Sequence, residues 1–299
     1  MMQKRTWKQV DGVLLLDKSS GMTSNDALQK ARRLFSAAKA GHTGTLDPLA
    51  SGLLPLCFGE ATKFAADLLD ADKAYHAELL LGVTTTTGDA EGEVLESRPV
   101  PAIEAEQLEA VLAHFRGPIR QVPPMYSALK RDGRPLYELA RQGIEVEREA
   151  RDVVIHALVV EHFAGSVLHL AVDCSKGTYI RSLAEDIGST LGCGAHLTGL
   201  RRTQVGDLRL EQAVSLEALQ GMAEEERGAC LQPLDSLLQS LPAVDLDATA
   251  AARFCHGNPV ALARGATGKT RVYAAGRLLG LGDATGDELR PKRLLRQEA

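Results

Sequence analysis

Gly41-His42-Thr43-Gly44-Thr45-Leu46-Asp47-Pro48 is the most informative stretch of the chain. It places two glycines, two threonines, a histidine and one carboxylate directly before an apolar run. Asp followed by Pro is also the ordinary pair of residues at the start of a helix, so the dipeptide alone allows a purely structural role. The small residues before Asp47 permit a close approach of a ligand to the backbone, which a helix cap does not explain. We therefore take Asp47 as a candidate functional carboxylate.

Strand and helix patterns alternate on both sides of this loop. A short apolar run at residues 12–16 predicts a buried strand, and residues 23–26 form a capping sequence before an amphipathic helix. Further strands are expected near residues 74–81, 153–160 and 167–174, and helices near residues 27–35, 61–69, 108–115 and 180–191. These patterns indicate a main domain of mixed α and β structure.

Two regions depart from this alternation. Residues 123–152 are polar and basic and begin with Pro-Pro-Met-Tyr-Ser-Ala-Leu-Lys, which predicts a protruding insertion. Near Val244-Asp245 the chain leaves an acidic helical region and enters a Gly-rich one, with short strands expected at 270–274 and 277–281. A unit of about 50 residues is near the minimum for a stable fold, so we expect a small β domain that leans on the main domain.

The composition excludes several classes of protein. Of the 299 residues, 44% are hydrophobic and 24% are charged, as is typical of a globular protein. The sequence lacks a run of about 18 apolar residues and a signal-type segment, which predicts a soluble, cytoplasmic protein without a membrane partner. The five cysteines are scattered, with no Cys-x-x-Cys pair, and argue against structural zinc or a disulfide framework.

The charge is distributed unevenly, although the net charge is only −5. Residues 1–46 carry eight basic and three acidic side chains, and residues 251–299 carry nine basic and four acidic ones, so each end has a charge of +5. The central part therefore has a charge of −15. Basic ends suit a polyanion that touches part of the surface, and they equally suit solvated side chains without a partner.

The segment 41–48 resembles the catalytic loop of the TruB family of tRNA pseudouridine synthases, which isomerise the uridine at position 55 in the T loop of tRNA. The resemblance extends over roughly residues 10–210, and the order and spacing of the matching segments make it specific. The other matching segments are Gly12–Lys18, Gly21–Ser24, Lys73–Tyr75, Thr85–Gly92, Pro123–Lys130 and Gly177–Leu183. The C-terminal residues are similar to the family's PUA-type domain only in position, size and Gly-rich strand pattern.

This resemblance implies an α+β fold with a mixed, largely antiparallel sheet and flanking helices, the pseudouridine synthase fold, plus a small C-terminal PUA-like β-barrel domain. It implies a catalytic domain over residues 1–245, with an RNA-clamping insertion at about 123–152, and an RNA-binding domain over residues 246–299. The expected partner is the T stem-loop of tRNA. No cofactor, metal ion or protein partner is expected, and the chain is expected to be a monomer.

The resemblance also implies roles in the chemistry. Pseudouridine formation breaks a C–N glycosidic bond, turns the base and rejoins it through carbon, which requires a carboxylate near the ribose. Asp47 is expected to be that carboxylate, in its ionised form, and either attacks C1′ of the ribose or removes the C2′ proton. Arg181 matches the arginine that pairs with it and lowers its pKa. Tyr75 is expected to stack on the uracil and to serve in late proton transfer, and Asp89 to act behind the reacting groups or only in a turn.

Access to the base is a second requirement, because a stacked uridine cannot reach the carboxylate. The base has to be flipped out, at a cost of about a few kcal/mol. His42 is suited to fill the gap by stacking on neighbouring bases. Further candidates for contacts to the RNA are Lys18, Tyr179 and the basic side chains of the insertion, Lys130, Arg131, Arg134 and Arg141.

Three alternatives stay open at this point: a synthase that acts on another RNA, a module that binds or folds RNA without catalysis, and a metal hydrolase. The presence of Asp47, Tyr75 and Arg181 favours an enzyme over a pure binder, although the two roles can coexist. A hydrolase is disfavoured because the sequence has no His-x-x-x-His or paired-carboxylate spacing.

Overall fold

One large mixed sheet forms the framework of the main domain. The structure, a computed structural model, describes residues 6–131 and 133–296, with the backbone alone at 263–265, so Lys4 and Arg5 of the basic N-terminal segment lie outside it. The strands are β1 Gly12–Lys18, β2 Ala40–His42, β3 Ser51–Phe58, β4 Lys73–Leu81, β5 Val83–Thr85, β6 Val94–Ser97, β7 Gly117–Gln121, β8 Lys130–Arg131, β9 Arg134–Pro135, β10 Arg151–Ala164, β11 Val167–Cys174, β12 Ala195–Val205, β13 Leu208–Arg209, β14 Val214–Ser215, β15 Leu231–Gln232, β16 Ala243–Asp245, β17 Val260–Ala274 and β18 Arg277–Leu294.

The described residues also form eight short helices. They are α1 Ser24–Leu34, α2 Ala65–Leu69, α3 Ala105–Ala113, α4 Leu136–Ala140, α5 Ile180–Thr190, α6 Leu216–Gly221, α7 Glu224–Arg227 and α8 Ala248–Cys255, with 3-10 turns at Gly59–Lys63, Leu210–Gln212, Gly228–Cys230 and Leu234–Leu238. None of the described helices has both the length and the apolar character that crossing a membrane requires.

The strand order of the main sheet confirms the expected largely antiparallel pairing. Among the described residues the sheet has eleven strands, eight of them in the order β14-β1-β3-β12-β4-β11-β10-β7. Neighbours in this order are antiparallel except β14 with β1 and β3 with β12, which are parallel. The parallel contact between β3 and β12 brings the two halves of the sheet together, and the candidate site lies there.

Two helices with a pronounced apolar face position that site. The first, α1, begins where the capping sequence predicts it, because the Thr23 hydroxyl accepts from the Asp26 N–H and the Asp26 carboxylate accepts from the Thr23 N–H. Its apolar face packs on β1 and β3 in a core cluster with α6. The second, α5, packs on β4, β10, β11 and β12 through Ile180, Leu183, Ala184 and Ile187. Both helices thereby fix the loops at their N-termini.

The predicted helix at 61–69 is wrong as a single element. The chain forms a 3-10 turn over Gly59–Lys63 and then the short helix α2, with Phe64 between them. Ala61, Phe64 and Leu68 still point into one apolar cluster, which explains why their spacing looked helical. The insertion, in turn, contains the β8–β9 hairpin followed by α4.

The C-terminal unit is a small sheet in the order β16-β17-β18, with α8 packed on it through Phe254. This agrees with the expected small PUA-like domain. Its strands extend far beyond the predicted 270–274 and 277–281, because the Gly-rich stretches pair with each other instead of turning. Gly280 shows why glycine is needed within β18, since a Cβ there would lie 2.1 Å from the Arg293 carbonyl oxygen.

Candidate active site

The loop that carries Asp47 joins β2 to β3 and is held by the N-terminus of α1. The Ser24 hydroxyl donates to the Leu46 carbonyl at 2.9 Å and accepts from the Leu46 N–H at 2.8 Å. The Gly21 N–H donates to the Pro48 carbonyl at 2.8 Å. No helix begins at Asp47 itself, so the structural alternative that the Asp-Pro dipeptide allowed does not apply.

Arg181, in the first turn of α5, joins two carboxylates. Its Nη2 lies 2.9 Å from Oδ2 of Asp47, and its Nε lies 3.6 Å from Oδ2 of Asp89. The guanidinium also donates to the carbonyls of Thr87 at 3.0 Å and Tyr126 at 2.7 Å. Only 6% of the Arg181 side chain is exposed, so these four partners fix the guanidinium plane.

Asp89 is held in turn by the strand-to-turn segment around it. Its side chain is 4% exposed, and Oδ1 accepts from the Thr87 hydroxyl at 2.5 Å and from the Glu91 N–H at 3.1 Å. Asp89 lies at the edge of the cleft and contacts Arg181 there. It therefore orients the arginine that pairs with Asp47.

The surroundings of Asp47 raise its pKa above the ordinary value. Burial in the cleft is the largest cause and Asp89 adds to it, whereas the pairing with Arg181 and the charge of Lys18 act in the opposite direction. The expected lowering by Arg181 is therefore present, but the prediction of a lowered pKa is wrong because burial outweighs it. With 41% of its side chain exposed, the carboxylate still faces the cleft.

The cleft has a volume of about 490 Å³ and brings together several of the predicted residues, namely His42, Asp47, Asp89, Arg141 and Arg181. Sequence reasoning missed other residues that line it, namely Asn25, Thr87, Glu91, Ser127 and Tyr137. Tyr126 and Ser127 lie within the Pro-Pro-Met-Tyr-Ser motif, which was the available signal for them.

His42 lines this cleft, and its surroundings favour the neutral form of the ring. Burial and the nearby Arg202 charge lower its pKa, and its Nδ1 is buried without a hydrogen-bond partner among the described residues. A neutral imidazole with a vacant polar atom is suited to contact a base.

Six of the predicted site and contact residues do not line the cleft, namely Lys18, Tyr75, Lys130, Arg131, Arg134 and Tyr179. Tyr75 lies on β4, where burial raises its pKa and Asp47 interacts with it electrostatically. Tyr179 directly precedes α5, and its pKa is also raised by burial. Lys130 is exposed on β8 and lines a separate pocket of the insertion, with a volume of about 390 Å³.

Lys18 is fully buried, so its side chain is not accessible to RNA. Its ammonium donates to the carbonyls of Ser19 at 3.0 Å and Met22 at 2.7 Å. Burial lowers the pKa of Lys18 to about 8, and Asp47 partly opposes this. The ammonium therefore holds the segment before α1, and its charge opposes the effect of burial on the pKa of Asp47.

The described residues contain no group of three or more His, Cys, Asp or Glu side chains arranged to hold a metal ion.

Comparisons with known proteins agree over the whole chain. Residues 32–180 match the model of the TruB family pseudouridylate synthase N-terminal domain, and residues 181–239 and 242–295 match two models of C-terminal domains of the same synthases. The tRNA pseudouridine synthase B of Dechloromonas aromatica (strain RCB) is 65% identical over 99% of both chains. That of Burkholderia mallei (strain NCTC 10247) is 59% identical, over 96% of this chain and 98% of its own.

Solved structures give the same result for the fold. A chain of a Cbf5-Nop10-Gar1 complex matches with a TM-score of 0.74 and 27% identity, over 95% of this chain and 84% of its own. A chain of an H/ACA RNP bound to a substrate RNA containing 2′-deoxyuridine matches with a TM-score of 0.71 and 25% identity, over 96% and 85%. From these matches and from the loop geometry, the chain belongs to the TruB family of pseudouridylate synthases.

Proposed function

We propose that this protein isomerises the uridine at position 55 in the T loop of tRNA, with Asp47 as the catalytic carboxylate. The observation that carries the proposal is the Asp47–Arg181–Asp89 arrangement in an open cleft, with 2.9 Å between Arg181 and Asp47. Relatives named tRNA pseudouridine synthase B support tRNA as the substrate. One chain supplies every group named, so the proposed site needs no second copy.

The reaction breaks the C1′–N1 bond, forms a C1′–C5 bond and moves the C5 proton to solvent while N1 gains a proton. Substrate and product have the same atoms, so no oxidant or group donor is consumed. Asp47 serves as nucleophile at C1′ or as base at C2′, and both roles require the ionised carboxylate. Arg181 favours that form and fixes the oxygen that faces the ribose.

Base flipping brings the uridine to Asp47. The neutral ring of His42 takes the space that the flipped base leaves in the T loop, and stacking needs no charge on the ring. Tyr75 provides a surface for the uracil inside the protein. Tyr179 and the basic insertion, with Lys130 at its hairpin, hold the RNA around the cleft.

The decisive experiment compares wild type with Asp47→Asn on unmodified tRNA. Asp47→Asn should abolish pseudouridine at position 55, because the amide cannot act as nucleophile or base. Its affinity for tRNA should stay within about tenfold of wild type, since phosphate contacts dominate binding. Product mapping along the whole tRNA, with a binding assay on the same preparations, gives both quantities.

Asp207→Asn is the matched control, because Asp207 is exposed in the turn between β12 and β13. It should modify tRNA at the wild-type rate. Turnover by Asp47→Asn within tenfold of wild type would refute the assignment of Asp47, and pseudouridine at a different position would refute the assignment of the substrate uridine.

A further inference from the structure

Arg202 is a buried cation next to the candidate active site, and none of the roles assigned above uses it. It is 1% exposed and lies on β12, between the two strands that flank the site. In the register of the sheet, Arg202 pairs with Gly52 of β3 on one side and with Tyr75 of β4 on the other. It therefore occupies the junction of the two halves of the sheet.

Each bond of the guanidinium leads to a segment beside the cleft. Its Nε donates to the Leu53 carbonyl at 2.8 Å, and its Nη2 donates to the Gly44 carbonyl at 3.2 Å. The Arg202 charge also acts on the Tyr75 side chain, where it works against the rise that burial causes in the pKa of Tyr75. Gly44 is three residues before Asp47 in the same loop.

The absence of an ion-pair partner makes this arrangement informative. In the part of the chain that the structure describes, no carboxylate lies within ion-pair distance of Arg202. Burying a charge without such a partner costs several kcal/mol, and a well-packed apolar side chain would avoid that cost. An apolar side chain could not hold the Gly44 and Leu53 carbonyls at the same time, nor place a charge beside Tyr75.

Resting on the proposed function, we propose that Arg202 is a positioning residue that fixes the Asp47 loop relative to the Tyr75 ring. It does not touch the RNA, because it is fully enclosed by protein. It acts through Gly44, which lies in the catalytic loop three residues before Asp47, and through Tyr75, which the proposed function assigns to the uracil. A displacement of about 1 Å between reacting groups can cost about 100-fold in rate, so the effect should appear in the chemical step.

The test measures single-turnover rates on a T stem-loop RNA at saturating enzyme, with RNA affinity and thermal melting of the same samples. Arg202→Met should lower the rate about 100-fold while affinity changes by no more than a few-fold. Arg202→Lys should recover only part of the rate, because an ammonium cannot reach two acceptors in the way that a planar guanidinium does.

A double-mutant cycle with Tyr75→Phe separates positioning from a general effect on the fold. If Arg202 acts through the Tyr75 hydroxyl, Arg202→Met should cost clearly less in the Tyr75→Phe background than in wild type. Arg201→Met is the matched control, since the neighbouring Arg201 side chain is 43% exposed and bonds to Asp17 at 2.7 Å. It should keep the wild-type rate.

Three outcomes would overturn the proposal: a wild-type rate for Arg202→Met, independent effects in the double-mutant cycle, or loss of the cooperative melting transition in both Arg202 variants. The last would place Arg202 in the fold alone. A wild-type protein that forms no pseudouridine would instead refute the proposed function, and this is seen before any variant is made.

Discussion

At the scale of single residues, the acid side of the pH profile reports on Asp47. Burial raises the pKa of Asp47, so the carboxylate takes up a proton at a higher pH than an ordinary aspartate, whose pKa is about 3.9. The protonated form can act neither as nucleophile nor as base. The single-turnover rate should therefore fall as the pH drops through this raised pKa, with a midpoint above the ordinary value of an aspartate. Rates measured from pH 4 to 8 on prebound RNA would locate the midpoint.

Arg181→Met should move that midpoint to higher pH, because the substitution removes the cation that opposes the effect of burial. At neutral pH the variant should be slower than wild type, and raising the pH should restore part of the loss. Arg181→Lys should lie between the two proteins, since it keeps the charge and loses the second contact of the guanidinium. A midpoint that does not move in Arg181→Met would contradict the electrostatic role of the arginine.

The resemblance to the TruB family selected His42, Asp47, Asp89 and Arg181 from the sequence alone, and all four line one cleft. It was not sufficient for the direction of the Asp47 pKa, which depends on burial and on a second carboxylate 42 positions away. Lys18 shows the same limit, because a lysine at a strand end is usually solvated and here is fully buried. Arg202 gave no local signal at all, since its partners come from three separate segments.

At the scale of elements, the parallel contact of β3 with β12 depends on Gly52. Gly52 has a φ of +98°, and a Cβ there would lie 2.3 Å from the Arg202 carbonyl oxygen. Gly52→Ala should therefore destabilise the protein by more than the 1–2 kcal/mol that is roughly typical of a side chain in the left-handed region. Thermal or urea unfolding of the variant would measure the loss.

Gly117→Ala is the control for this substitution, because Gly117 has a φ of +83° and nothing within 4 Å of a Cβ. It should cost only the conformational strain, about 1–2 kcal/mol. Equal losses in the two variants would show that the close approach at Gly52 contributes nothing to the effect.

The insertion is the second element whose contribution can be measured on its own. Lys130 and Arg134 are exposed in the β8–β9 hairpin, where Arg134 donates to the Gln142 side chain at 3.1 Å, whereas Arg131 donates to the main-chain carbonyl of Glu147 at 2.7 Å and ties the hairpin to the rest of the insertion. Replacing Lys130 and Arg134 by Ala, and leaving Arg131, should raise KM and leave the rate of the bound complex unchanged. Each lost phosphate contact should reduce the slope of log affinity against log salt by roughly 0.7 to 0.9. An unchanged slope would remove these side chains from the RNA interface.

Elements differ in how far local patterns predicted them. Alternation identified β4, β10 and β11, and the capping box fixed the start of α1, because both signals are contained within a few residues. The short turns at residues 59–69 and the long β17–β18 hairpin were not predicted correctly. In both cases contacts between distant segments determine the backbone conformation. Gly280 is an example, because the Arg293 carbonyl at the other end of β18 lies too close to leave room for a Cβ there.

At the scale of the whole molecule, the C-terminal unit leans on the main domain through specific contacts. Leu281 belongs to the same apolar cluster as Phe64 and Leu68, and Lys269 pairs with Asp67, whose side chain is 9% exposed. Deleting the unit would uncover this cluster, so a truncation cannot separate loss of RNA contact from loss of stability. Surface substitutions within the full chain can.

The last prediction concerns whether this unit contacts tRNA. Arg253 on α8 and Arg277 at the start of β18 are exposed, and the described residues provide neither with an ion-pair partner. If the unit binds the acceptor end, replacing both by Ala should weaken the binding of full-length tRNA. It should also flatten the salt dependence of that binding, because with fewer phosphate contacts fewer counterions are released. An isolated T stem-loop cannot reach the unit, so its affinity should not change. Equal effects on the two RNAs, at an unchanged melting temperature, would contradict a separate RNA contact there.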